Sequence, residues 1–127
     1  MQDRSSLSRA GVAALAATGI LHLVLAPEYL DEKTYVGALF IAGGVSCLLL
    51  AAVIIRRGEA PEWTAAALVA AGMGVGFVLS RTTGLPGYKE GEWEISGLIS
   101  LLLEATVVVA AVRAVLDRGG VIAQPAR

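Results

Sequence analysis

The chain has 127 residues, of which 56% are hydrophobic and 17% charged, and its net charge is −1. An ordinary soluble domain carries about 25% charged residues, so the charge has been removed from somewhere in particular. The near-neutral balance excludes a basic surface for nucleic acid, and the one cysteine, Cys47, excludes an intrachain disulfide.

Four apolar runs hold the deficit: Ala10–Ala26, Tyr35–Ile55, Trp63–Leu79 and Ile95–Val112. Each is roughly 17–21 residues, which at about 1.5 Å per residue matches a hydrocarbon core of about 30 Å. None alternates apolar with polar residues, so they read as helices and not barrel strands. The expected fold is all-α: one polytopic membrane domain, 1–127, with antiparallel transmembrane helices near 10–27, 35–55, 63–81 and 95–116.

The first helix follows Arg4 and Arg9 and is expected to end at Pro27. Its apolar stretch exceeds a signal-peptide h-region and no clear cleavage site follows it, so it reads as a retained helix. It carries His22, the only histidine, with Thr18 one turn deeper. One histidine is poor evidence for a metal site or for haem, and no second axial ligand is visible. It reads as a helix-to-helix hydrogen bond or as part of a polar track. The next gap holds Glu28, Asp31 and Glu32, which read as a solvated acidic loop or as a cation funnel.

The second helix carries the small-residue stripe Gly37, Gly44, Cys47 and Ala51. Lipid gives helices no hydrophobic reason to associate, so such stripes are expected at their contacts. The third helix follows Pro61 and carries Gly72 and Gly76, a small-xxx-small pair for internal packing or for a homodimer. It ends at Ser80 and Arg81. Arg81 is expected to snorkel to headgroups, to pair with Glu28 or Glu94, or to hold an anionic ligand.

The third gap contains the turn signal Gly84-Leu85-Pro86-Gly87. Pro86-Gly87-Tyr88 echoes Pro27-Glu28-Tyr29, which suits either a duplicated helical hairpin or the ordinary composition of membrane loops. The fourth helix begins with Gly97, another packing candidate, and carries Glu104 about nine residues in, roughly 14 Å from its start. An ionisable group near a bilayer midplane marks a functional site by default. Glu104 reads as a proton or cation relay, as the partner of an ammonium, or as a carboxyl that fixes helix register. It faces His22 if the first and fourth helices adjoin.

Basic residues set the orientation. Arg4, Arg9, Arg56, Arg57, Arg113, Arg118 and Arg127 fall on one side, and Lys33, Arg81 and Lys89 on the other. Both termini are therefore expected in the cytoplasm of a cell with a plasma membrane. Tyr29, Tyr35, Tyr88 and Trp93 at one boundary and Trp63 at the other are expected aromatic-belt residues.

The segments Leu21-His22-Leu23, Ala26-Pro27-Glu28-Tyr29-Leu30, Gly76 to Gly87 and Glu92-Trp93-Glu94 resemble those of small four-helix membrane proteins from high-GC, actinobacterial-type genomes. The resemblance implies four transmembrane helices over most of the chain and carries no activity.

No nucleophile–base–orienter set, phosphate loop or metal cluster is visible, so no enzyme, cofactor or metal is expected. Three functions compete. One is a non-catalytic subunit or interaction partner in a larger membrane complex. Another is a proton, cation or cationic-solute transporter built on Glu104 and His22, with Glu28 and Arg81 at its mouth. The last is a haem- or quinone-binding redox protein.

Overall fold

The computed structural model describes residues 2–123, with side chains from Ser6 to Arg118. The side chain of Arg4, and Arg127 altogether, lie outside the described residues. The described residues form four helices: α1 (Gln2–Glu32), α2 (Thr34–Arg56), α3 (Ala60–Arg81) and α4 (Ile95–Ala123). All four are long and apolar enough to cross a membrane. α1 packs on α2 and α4, and α3 packs on α4; α2 lies more loosely against α3.

Pro27 does not end the first helix. α1 runs through it to Glu32, and only Lys33 separates α1 from α2. Proline removes one backbone donor, and neighbouring helices make that loss tolerable in an apolar bundle. The reversal is tight because Gly37 has no side chain: a Cβ there would lie 2.5 Å from the backbone nitrogen of Leu30. Pro27-Glu28-Tyr29 is therefore helical, whereas Leu85-Pro86-Gly87-Tyr88 is a turn closed by Leu85 N–H on Tyr88 O (2.7 Å) and Tyr88 N–H on Leu85 O (2.9 Å). Pro86 at the second position and Gly87 at φ +65° in the third are the residues that a type II turn demands. The resemblance between the two gaps stops at composition.

The α3 start is written in its sequence. Glu59 and Glu62 form a reciprocal capping box, with Glu59 N–H on Glu62 Oε2 at 2.9 Å, and Pro61 lies in the first turn. Arg57 stands 3.3 Å from the buried Glu62 and 3.5 Å from the exposed Glu59. This turn, the start of α1 and the end of α4 share one end of the molecule, called the terminal end below. Lys33 and the 82–94 segment form the loop end.

Towards the terminal end the axis is filled. Leu15, Trp63, Ala66, Val107 and Ala111 are almost wholly buried there. Trp63 is a core residue at 1% exposure, not a boundary anchor. It fits because Gly11 lacks a side chain, where a Cβ would lie 2.5 Å from the Ala110 Cβ and 3.2 Å from the Trp63 ring. Gly44 meets Gly19 across α1 and α2, each hypothetical Cβ falling 2.9 Å from the other's carbonyl oxygen. Gly97 lies against the Phe77 ring, closing α4 on α3. Such approaches replace the missing hydrophobic drive with contact between backbones. Gly72 and Gly76 do not pack against another helix of the chain: a Cβ at either would meet nothing within 4 Å.

Candidate functional site

Thr18 and His22 sit one turn apart on the α1 face that meets α4, and Ser100 and Glu104 sit one turn apart on α4. All four are buried. Ser100 Oγ–H donates to Glu104 Oε2, and Thr18 Oγ1–H donates to the same oxygen at 3.3 Å. His22 Nδ1 lies 2.8 Å from the Thr18 carbonyl oxygen. A carbonyl only accepts, so Nδ1 carries hydrogen and Nε2 is turned to Glu104 Oε2, 3.9 Å away. That separation is an ion-pair contact, too long for a hydrogen bond.

The extension of α1 explains the level at which they meet. His22 lies about ten residues, or roughly 15 Å, below the loop end of α1, and Glu104 about 14 Å below the start of α4. A helix ending at Pro27 would leave His22 only about 7–8 Å deep, and the continuation to Glu32 brings it level with Glu104. The pair is net neutral whether the proton sits on imidazole or carboxyl, if one proton is shared between them. That is the condition under which two ionisable groups are buried at tolerable cost.

Glu104 Oε1 is buried with no hydrogen-bond partner, the one such side-chain atom among the described residues. It faces Gly74 of α3, whose hypothetical Cβ would stand 3.5 Å away. One carboxyl oxygen is thus saturated by α1 and α4, and the other is bare towards α3.

Between His22 and the loop end lies a cavity of about 340 Å³. It occupies the gap where α2 and α3 part, with Leu39, Phe40 and Gly43 on one wall and Gly72, Met73 and Gly76 on the other. The exposure of Leu39, Ala42 and Gly72 on its rim opens it sideways, away from the bundle axis. Gly72 and Gly76 are its open wall, which accounts for the empty space beside them. Its polar lining is sparse: His22 and Ser100 at the bottom, Tyr29, Ser80, Arg81 and Tyr88 towards the loop end. A mostly apolar cavity of this size with a few convergent polar groups is the usual form of a small-molecule site.

A ladder of rings joins its two ends. Tyr29 stacks on Phe40 at 4.2 Å, and Phe40 lies 4.8 Å from the His22 ring. Tyr29 is 5% exposed, so it belongs to this ladder and not to a lipid-facing belt. Above it, the half-buried Arg81 spans three elements. Nε–H donates to the Glu92 carbonyl at 3.2 Å, Nη1–H to Ser80 Oγ at 2.8 Å, and Nη2–H to Tyr29 Oη at 3.2 Å. Its guanidinium lies 4.1 Å from the Phe77 ring centre.

The 82–94 segment closes the loop end. Tyr35 O–H donates to the Pro86 carbonyl at 2.5 Å, and Tyr88 Oη lies 3.1 Å from Glu32 Oε2 and 3.3 Å from Glu90 Oε2. Burial, and then the hydrogen bond to Glu32, push the Tyr88 phenol well above its ordinary range, so it stays a donor.

Of the four site candidates, His22 and Glu104 are brought together and Arg81 reaches the same cavity. Glu28 is not brought in: it is exposed on α1 and makes no hydrogen bond or ion pair among the described residues. Sequence reasoning passed over Tyr29, Phe40 and Ser80 as members of the site. One signal was available: Thr18, His22 and Tyr29 recur at helical spacing on one α1 face, provided the helix is carried through Pro27. Among the described residues, no group of three or more His, Cys, Asp and Glu side chains is placed to hold a metal ion.

No protein family, no curated protein and no solved structure matches the chain.

Proposed function

We propose that this is a non-catalytic integral membrane protein, both termini cytoplasmic, that takes an amphiphilic small molecule from the bilayer into the cavity between α2 and α3. The observation that carries the reading is that His22, backed by Glu104 at 3.9 Å, forms the floor of a mostly apolar cavity whose rim is exposed between two helices. A lipid-soluble molecule entering there keeps its apolar part among Leu39, Phe40 and Met73. It can exchange hydrogen bonds, or a proton, with His22. The orientation rests on the Arg57, Arg113 and Arg118 side being the more basic.

Binding is preferred to through-transport because the packing changes below Glu104. From there the buried axis is lined by Leu15, Trp63, Ala66, Val107 and Ala111, and among the described residues the next buried polar side chain is Glu62 at the Arg57 turn, which leaves no polar step between it and the Thr18–Glu104 cluster to pass on a proton or cation. A role as a subunit of a larger complex has less support, since large exposed hydrophobics such as Val24, Leu49, Leu68, Val75 and Leu102 are spread over all four helices. That spread suits lipid on every face.

The test uses a long-chain alcohol carrying a photoreactive diazirine, added to the protein in phosphatidylcholine nanodiscs and irradiated. Labels are expected to concentrate on Phe40, Met73 and their neighbours. They should fall by about tenfold in the Gly72→Leu/Gly76→Leu protein, whose new side chains grow into the cavity and not into a helix; a tenfold change corresponds to about 1.4 kcal/mol. Labelling spread evenly over the exposed faces, and unchanged when the cavity is filled, overturns the reading.

A further inference from the structure

Arg81 is anchored, but not by a negative charge. Its three hydrogen bonds go to a backbone carbonyl, a serine hydroxyl and a tyrosine hydroxyl, and its face rests on Phe77. Among the described residues no carboxylate lies within ion-pair distance of it. The nearest acidic residue in contact, Glu92, supplies its main-chain oxygen. A guanidinium has five N–H donors, and three are used here, so two remain without an acceptor.

A partly desolvated cation costs free energy that an anion restores more fully than neutral groups do. This one is held in place by neutral groups on α1, α3 and the 82–94 segment, at the loop end of an apolar cavity that it lines. Holding the fork in advance lowers the ordering cost of binding an oxyanion, and the fork geometry matches carboxylate or phosphate.

We infer that the cavity's ligand is an acidic amphiphile, its carboxylate or phosphate on Arg81 beside Ser80 and Tyr29, its hydrocarbon chain lying between α2 and α3. This rests on the lateral-cavity reading above and names its ligand class. The headgroup end is set by Arg81 and the chain end by Phe40, Gly72 and Met73. His22, at the floor of the cavity, then contacts the ligand away from its charge.

Competition against the photoreactive alcohol tests it, at a pH where free oleate is ionised. One arm compares oleate with oleyl alcohol, for a carboxylate head. The other compares dioleoyl phosphatidylglycerol with dioleoyl phosphatidylcholine, for a lipid phosphate bearing net charge. The acidic member of one pair is expected to compete about tenfold better than its neutral counterpart, the scale of one charge-assisted contact. Arg81→Gln should abolish that preference, measured as the ratio of acidic to neutral competitor, and Arg81→Lys should keep part of it. No acid preference in either arm for the wild-type protein overturns the inference, whatever the variants do. So does a preference that survives Arg81→Gln. If neither acid nor neutral competitor displaces the probe, the lateral cavity itself is not the binding site and both readings fail.

Discussion

Between the Arg57 turn and Thr18, the four helices close on an apolar axis of Leu15, Trp63, Ala66 and Val107. Between Glu104 and Arg81, the same helices part around about 340 Å³ and gather nearly all the buried polar side chains. The difference comes from where the glycines fall. Gly11 and Gly44 sit where another helix arrives, so they draw backbones together. Gly72 and Gly76 sit where none arrives, so the same residue type leaves a void. A small-residue stripe is therefore a statement about space, and its meaning depends on whether a neighbour fills that space.

The largest expected effect breaks the closed half. Trp63→Ala removes the biggest fully buried side chain and should lower unfolding free energy by about 3–5 kcal/mol, read by steric trapping in bicelles. The cavity half should hold its photolabelling pattern below the unfolding midpoint if the two halves are separable. A matched pair then sharpens the contrast. Gly11→Leu drives a side chain into Ala110 and Trp63 and should cost about 1–3 kcal/mol. Gly72→Leu, the identical exchange in the open half, should stay within about 1 kcal/mol of wild type. Equal losses at the two positions would show that the cavity closes in the membrane.

A smaller effect addresses the polar cluster. Ser100→Ala removes one donor to Glu104 Oε2 and should cost about 1 kcal/mol in the same assay. The smallest concerns the loop end. The Tyr88 phenol is raised in the folded protein, so it keeps its proton where the unfolded chain loses one, above about pH 10. The folded state then binds the extra proton, and stability falls as pH rises through that window. Tyr88→Phe should flatten this part of a melting-temperature–pH profile and leave neutral pH almost unchanged.

Much of this could be read from the residues. The four apolar runs locate the helices because segment hydropathy is a local property. The depth of Glu104 and the spacing of Thr18 and His22 mark two helix faces, and a fold that joins α1 to α4 brings those faces together. What was not legible depended on distances between helices. Pro27 looks like a helix end in isolation, and only packing against its neighbours carries the helix through it. Trp63 and Tyr29 look like boundary aromatics until Gly11 and Phe40 are set beside them. Arg81 suggests a carboxylate partner, and its neutral cradle depends on how the 82–94 segment folds back, with Glu90 N–H on Ser80 O at 2.8 Å.

The single-residue connection at Lys33 has a mechanical consequence. α1 and α2 are bound as one stiff leaf by that short link and by the Gly19–Gly44 approach, and α3 and α4 form a second leaf closed by Gly97 on Phe77. The leaves share one extensive seam, α1 against α4, and a loose margin, α2 against α3. Anything that widens the margin must swing the leaves about that seam, as a book opens about its spine. Thr18, His22 and Glu104 are stitched into the spine, so the buried polar side chains lie on the seam that the two leaves share.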